Sequence, residues 1–138
     1  MASYFPPGDG GVASFMIAEE KRMTVKEFYE TIGESYDDVL DTLGREALVL
    51  KYLKRLAGES VIEEIRTALA AKDWNGVFMA AHNLKGYALN LSMAKLANAA
   101  SDLCEATRGG VSKGGEEEFF SKVTEVFDFV AANINKLD

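Results

Sequence analysis

The residue types that could do chemistry are gathered in one short string. Residues 81–86 read AHNLKG and contain the single histidine of this 138-residue chain. A neutral imidazole is a nucleophile, so His82 could attack an electrophile and carry a transferred group covalently. Lys85, three positions later on a helix, would be a surface neighbour able to balance negative charge on the ring. The string therefore predicts a nucleophilic site that tolerates an incoming anion.

The string lies within a strongly patterned helix whose polar side carries the histidine. Apolar residues recur at i, i+3 and i+4 and predict one buried face of this helix. The apolar residues are Trp74, Val77, Phe78, Ala81, Leu84, Ala88 and Leu91. They, including the aromatic Trp74 and Phe78, are expected to be core residues without a further role. His82 shares its row with Asn75, Met79, Gly86 and Asn90, so the ring is expected to point outward.

Gly86 interrupts this helix where a side chain would otherwise stand beside the imidazole. A glycine inside a helix costs about 1 kcal/mol relative to alanine, so the position calls for a reason. The missing side chain would leave a gap through which another molecule could reach His82. Close helix packing at Gly86 is the alternative interpretation.

The surface around His82 has the composition of a docking site. Met79 and Leu89 are expected to be partly exposed and would suit a small apolar contact with a partner helix. Asn75 and Asn83 are polar candidates for the same partner-facing surface. The apolar pair could equally be the edge of the folded core.

Composition excludes several classes of function. Fifteen basic against 22 acidic residues give a net charge of -7, which argues against binding to a phosphate backbone of nucleic acid. Cys104 is the single cysteine, so an intrachain disulfide or a cysteine-based zinc site is impossible and a cytoplasmic location is expected. A di-iron site would need a glutamate three residues before a histidine, but Met79 occupies that position.

The chain also lacks the sequence signals of a kinase. It has no Walker-type loop, no kinase signature and no glycine-rich nucleotide box, so it should neither bind ATP nor phosphorylate itself. Any phosphoryl group must come from a partner.

The chain is predicted to form a flexible leader over residues 1–22 and one helical domain over residues 23–138. The apolar patch at 12–18 is too short to span a bilayer and follows no basic segment, so neither an anchor nor a signal peptide is expected. Helix starts are predicted from three capping boxes, Thr24 with Glu27, Ser35 with Asp38, and Ser60 with Glu63.

Breaks between the helices are predicted from glycines and caps. Gly44 could bend or break the segment from Tyr36 to Leu56, and Gly58 could end it. Asp73 and Ser92 are predicted N-caps, with Ser92 opening a helix that folds back on the previous one. A glycine-rich loop over 109–115 precedes the last helix. The predicted fold is all-α: an up-and-down antiparallel four-helix bundle with one additional N-terminal helix.

These residues resemble those of the histidine-containing phosphotransfer (HPt) domains of two-component phosphorelays. The resemblance runs from about Ile65 to Arg108, through Leu69, Asp73, the string at 80–86, Asn90, Leu91, Leu96, Leu103 and Glu105. It implies a helical bundle, a phosphorylated His82, a Lys85 that assists the phosphoryl group, and partner access at Gly86. The chain departs from the family pattern at Tyr87 and Ser92, where the family usually has a small residue and a glycine.

The function implied by the resemblance is that of a phosphorelay carrier. His82 would accept a phosphoryl group from the aspartyl phosphate of a response-regulator receiver domain and pass it to another receiver. The receiver would supply magnesium, so the chain needs no cofactor or metal site, and a hybrid histidine kinase is an expected partner. We expect a monomer that binds neither nucleic acid nor membrane. The alternative is a non-phosphorylated helical adaptor that binds receiver or kinase domains through the same face.

Overall fold

The computed structural model describes residues 22–138, and every regular element in this range is a helix. The helices are α1 Val25–Ile32, α2 Tyr36–Leu43, α3 Glu46–Gly58, α4 Val61–Ala70, α5 Trp74–Asn90, α6 Ala94–Thr107 and α7 Glu116–Ile134. The all-α prediction is therefore confirmed for the described residues. Apart from Arg22, the leader predicted over residues 1–22 lies outside them. No helix of residues 22–138 is long and apolar enough to cross a bilayer.

The side-chain caps predicted at Thr24 and Ser35 form, and the side-chain cap predicted at Ser60 does not. Thr24 and Glu27 form a reciprocal capping box at α1, and the Ser35 hydroxyl accepts a hydrogen bond from the backbone N–H of Asp38 at α2. Ser60 occupies the N-cap position of α4, but its hydroxyl accepts no hydrogen bond from the first turn and donates instead to Glu64 Oε2 at 3.2 Å. The box predicted between Ser60 and Glu63 is wrong.

Three helices precede α4, where the sequence predicted one additional N-terminal helix. Gly33 ends α1 and Gly44 ends α2, with φ values of 73° and 89° that place both in the left-handed region. Glycine adopts this region without steric penalty, so each of the two positions stops a helix and redirects the chain. The predicted break at Gly44 is thus confirmed, and α3 ends at Gly58 as expected.

The chain reverses between α5 and α6, as the sequence predicted, but through a different device. Ser92 is not the N-cap of α6; that position belongs to Met93, which forms no side-chain cap. Ser92 adopts a φ of 54°, in the region that glycine prefers. A serine in this conformation makes the turn that glycine usually makes at this point of the family pattern.

The core is formed mainly by α4 to α7. Helix α5 packs against α4 and α6, α7 packs against α6 and α4, and α1 to α3 cover part of α5 and α7. Fully buried side chains come from all seven helices and the α5–α6 turn; among them are Phe28, Tyr29, Val39, Val49, Leu53, Leu56, Ile65, Leu84, Leu91, Met93, Leu96, Leu103 and Val123.

Four hydrogen bonds tie α1 and the residues directly after it to the α5–α6 turn and the start of α6. The buried Tyr29 hydroxyl donates a hydrogen bond to the carbonyl oxygen of Leu91 at 2.7 Å. Lys95 Nζ donates to the carbonyls of Ile32 and Gly33, while Glu34 accepts from the Lys95 backbone N–H. Burial raises the pKa of Tyr29 above its ordinary value, so the phenol remains a neutral donor. Hydrogen bonds with α1 and the residues directly after it therefore stabilise the turn that ends α5.

Replacing Tyr29 with phenylalanine is expected to lower the free energy of unfolding by about 1–2 kcal/mol, because it leaves the buried Leu91 carbonyl without a partner. Urea denaturation followed by circular dichroism measures the change. The control is Tyr52→Phe, since Tyr52 is half-buried and its hydroxyl forms no hydrogen bond within residues 22–138. Equal stability of the two variants would contradict this account of the turn.

Candidate functional site

His82 stands in the third turn of α5 with its side chain exposed to solvent. Asp73 fixes where this helix begins, since its carboxylate accepts a hydrogen bond from the backbone N–H of Gly76 at 3.0 Å, as predicted. Ala81 and Leu84 on either side are buried and set the rotation of the helix. The outward orientation expected for the imidazole follows from this register.

Phe78 contacts the imidazole directly, which corrects its expected role as a core residue only. The two ring centroids are 5.8 Å apart and the ring planes differ by 16°, a stacked arrangement. Phe78 is half-buried, because its ring lies at the boundary between the core and the surface. No pattern of apolar spacing distinguishes such a boundary residue from a core residue.

The flank of His82 that faces α6 carries positive charge. The Arg108 guanidinium lies over the Phe78 ring, 5.3 Å from its centroid, and donates hydrogen bonds to the Glu105 carboxylate. These hydrogen bonds lower the pKa of Glu105, and the charge of Lys85 lowers it further. Burial raises the pKa of the Cys104 thiol, and the Lys85 charge opposes that rise. Lys85 is half-buried, and its charge reaches Cys104 and Glu105, which both belong to α6.

The opposite flank of His82 opens onto a cleft of about 540 Å³ between α4 and α5. It is lined by Glu59, Val61, Glu64, His82, Asn83, Gly86, Tyr87 and Asn90. A Cβ atom added at Gly86 would meet no atom within 4 Å beyond its own helix and chain neighbours. Close packing therefore does not explain this glycine, and the gap expected beside His82 is present.

A second groove of about 610 Å³ continues along the same two helices and shares Glu64 and Asn83 with the cleft. Met79 lines this groove and has 55% of its surface exposed. Leu89 is 57% exposed and lies about two turns beyond His82, outside both cavities. Asn75 lies at the other end of α5, close to Gly110 of the glycine-rich loop.

Acidic and basic side chains lie on different sides of the imidazole. The lining of the cleft and the groove includes Glu59, Glu63, Glu64 and Asp73 but no lysine or arginine. Lys85 and Arg108 lie on the α6 side instead. The positive charge that could balance an anion on the His82 ring therefore comes from α5 and the end of α6, and not from the lining of the cleft and groove.

The site as a whole suits covalent group carriage and shows no built metal centre. Within residues 22–138, no three histidine, cysteine, aspartate or glutamate side chains are grouped so that they could hold a metal ion. The sequence prediction missed Phe78, Glu64 and the Glu105–Arg108 pair as neighbours of the imidazole. Arg108 is part of the sequence pattern that resembles the HPt family, but its contact with α5 depends on how α6 packs against that helix.

Comparison with known families gives one match. The family model described as Hpt domain matches residues 56–128, more than half of the chain, from the end of α3 into α7. The resemblance seen in the sequence is confirmed. Comparisons with curated proteins and with solved structures found no match.

Proposed function

Because the chain belongs to the Hpt domain family, whose members are phosphocarriers in two-component phosphorelays, we propose that His82 is its phosphoryl acceptor. A receiver domain would deliver the group from its aspartyl phosphate, and a second receiver would remove it. The observation that carries this proposal is the exposed imidazole beside an open cleft at Gly86, with Lys85 about one turn away on the same helix.

The proposed transfer needs only the lone pair of one ring nitrogen. That lone pair forms a bond to phosphorus as the phosphorus–oxygen bond to the receiver aspartate breaks, and the aspartate leaves with the electron pair. The other ring nitrogen keeps its proton, and the onward step reverses the same bond changes. The magnesium ion and acidic pocket that assist phosphoryl transfer belong to the receiver in this proposal.

Receiver docking is proposed along α5 on the side that faces α4. Met79, Asn83 and Gly86 line the cleft and groove there, and they would contact the partner directly. Asn75 and Leu89 stand near the two ends of α5 and would contact only a partner that covers the whole helix. The family's partners are receiver domains, and we propose that a hybrid histidine kinase carries one of them.

The proposal also covers the domain organisation, the bundle topology, the oligomeric state and the location of the protein. We propose that residues 23–138 fold as one domain and that α4 to α7 run up and down as an antiparallel four-helix bundle, because consecutive members are joined by short connections and pack together. We also propose a monomer in the cytoplasm. The buried, unpaired thiol of Cys104 suits a reducing compartment.

The test is transfer from a panel of receiver domains, each first phosphorylated with acetyl phosphate in the presence of magnesium. A carrier becomes labelled by at least one receiver, and the label is labile to acid and stable to base. An adaptor binds a receiver but stays unlabelled. Binding without label across the panel would reject the proposed acceptor role.

Replacing Lys85 with alanine is expected to slow transfer to His82 by about fivefold to tenfold at low salt. One positive charge near the incoming phosphoryl group contributes on the order of 1 kcal/mol at a partly exposed site. Rapid-quench kinetics with a phosphorylated receiver measures the rate, and the difference should shrink as salt rises. Lys54→Ala, which removes an exposed lysine from α3, is the control. A Lys85→Ala rate equal to that of the control would remove Lys85 from the site.

A further inference from the structure

We infer that Phe78 is a positioning residue that holds the plane of the His82 imidazole for phosphoryl transfer, and that the Glu105–Arg108 pair holds Phe78 in turn. The inference rests on the proposed function. It assigns Phe78 a task that neither the apolar pattern of α5 nor the family match gives it. Four side chains from α5 and the end of α6 then act as one assembly around the acceptor.

The imidazole has few other constraints. The hydrogen bonds formed within residues 22–138 include none to either ring nitrogen of His82. The second side-chain torsion of histidine is broad and roughly two-fold, so an exposed ring on a helix would otherwise sample many orientations. The stacking contact with Phe78, at 5.8 Å and 16°, is the contact that constrains the ring plane.

The ring plane matters because the nitrogen lone pair lies in it. Attack on phosphorus requires this lone pair to point along the bond to the leaving oxygen, so a fixed plane restricts the lone pair to a narrow set of directions. Holding a reacting group in such an orientation before the partner arrives raises the rate of the chemical step without strengthening binding. Phe78 would therefore act on transfer inside the complex rather than on complex formation.

Arg108 and Glu105 restrain Phe78 from the side of α6. Arg108 caps the end of α6, where its guanidinium contacts the Phe78 ring and donates to both oxygens of Glu105 at 3.2 and 3.1 Å from Nε. The Glu105 carboxylate, three residues away on the same helix, favours the guanidinium position over the aromatic face. The contact between Arg108 and Phe78 therefore connects the end of α6 to α5 outside the buried core.

The test compares Phe78→Leu with Phe78→Tyr in the full chain. Leucine keeps an apolar side chain but removes the aromatic face, whereas tyrosine keeps that face. Phe119→Leu is the control, because Phe119 is a half-buried aromatic at the start of α7 and not a neighbour of His82. Circular dichroism first confirms that each variant folds.

Two readouts report the assigned role. In NMR spectra, the ring protons of the single histidine should be shifted upfield by the Phe78 ring in the wild type and in Phe78→Tyr, and should lose that shift in Phe78→Leu. In rapid-quench experiments with a phosphorylated receiver, the transfer rate at saturation should fall about fivefold in Phe78→Leu, equivalent to one lost aromatic contact. The half-saturating receiver concentration should stay constant.

The outcomes separate this inference from the proposed function. A Phe78→Leu variant that keeps the wild-type histidine shifts, or transfers at the Phe119→Leu rate, overturns the positioning role while His82 remains the acceptor. A loss confined to the half-saturating concentration also overturns it, because Phe78 would then be a docking residue. If the wild type accepts no phosphate from any receiver, the proposed function fails, and the NMR shifts alone decide whether Phe78 orients the ring.

Discussion

Replacing His82 with glutamine is expected to abolish phosphoryl acceptance and to leave the fold unchanged. Glutamine has no nucleophilic ring nitrogen, so no phosphorus–nitrogen bond to the side chain can form. The substitution changes an exposed position, where most substitutions alter stability by less than about 0.5 kcal/mol. Radiolabel transfer from a phosphorylated receiver measures acceptance, and urea denaturation measures stability.

The control for this variant is Asn98→Gln, which changes an exposed side chain on α6 away from the cleft. It should be labelled like the wild type. Labelling of His82→Gln at wild-type strength would mean that another residue accepts the phosphoryl group. An unfolded His82→Gln variant would contradict the exposed placement of the ring.

Replacing Gly86 with leucine is expected to slow transfer from a receiver by up to about 100-fold while the protein folds normally. The added side chain would project into space that holds no atom of this molecule, so it displaces only the partner. Forcing extra volume into a well-packed contact costs about 1–3 kcal/mol, and 3 kcal/mol corresponds to more than a 100-fold loss. The same substitution should stabilise α5 by up to about 1 kcal/mol, because glycine is a poor helix former.

A small phosphoryl donor separates docking from chemistry in this variant. Phosphoramidate needs no protein surface, so it should label His82 in Gly86→Leu at close to the wild-type rate. Ala132→Leu places a leucine on the exposed face of α7 and controls for a new apolar side chain on a helix. Receiver-dependent transfer that is equally fast in Gly86→Leu and Ala132→Leu would show that the partner does not approach along Gly86.

Local sequence signals predicted most of the fold because helix starts and breaks depend on neighbouring residues. The Thr24 box, the Asp73 cap and the Gly44 break need only contacts within a few positions of the chain. Ser92 was predicted wrongly as an N-cap, whereas Ser60 occupies the N-cap position without forming the side-chain cap, for which an extended backbone is typical. Nothing in their local sequence showed that Ser60 binds Glu64 or that Ser92 turns left-handed.

The candidate site was predictable to the extent that it lies on one helix. His82, Lys85 and Gly86 are neighbours through helical spacing alone, and the exposure of His82 and Gly86 followed from the apolar pattern. Glu64 and Arg108 reach the imidazole's surroundings from α4 and α6, so their positions depend on interhelical packing. Phe78 has the spacing of a core residue and still contacts the exposed His82 ring. The rotation of α5 about its axis decides which residues at the border of the apolar face are buried, and the spacing alone does not give that rotation.

The most direct test of the central claim is the mass of one tryptic peptide after transfer from a phosphorylated receiver. Cleavage after Lys72 and Lys85 releases residues 73–85, which contain His82 and no serine, threonine or tyrosine. In base-stabilised samples this peptide should gain the mass of one phosphoryl group and lose it on acid treatment. A labelled protein in which peptide 73–85 stays unmodified, with the phosphoryl group on another peptide, would contradict His82 as the acceptor.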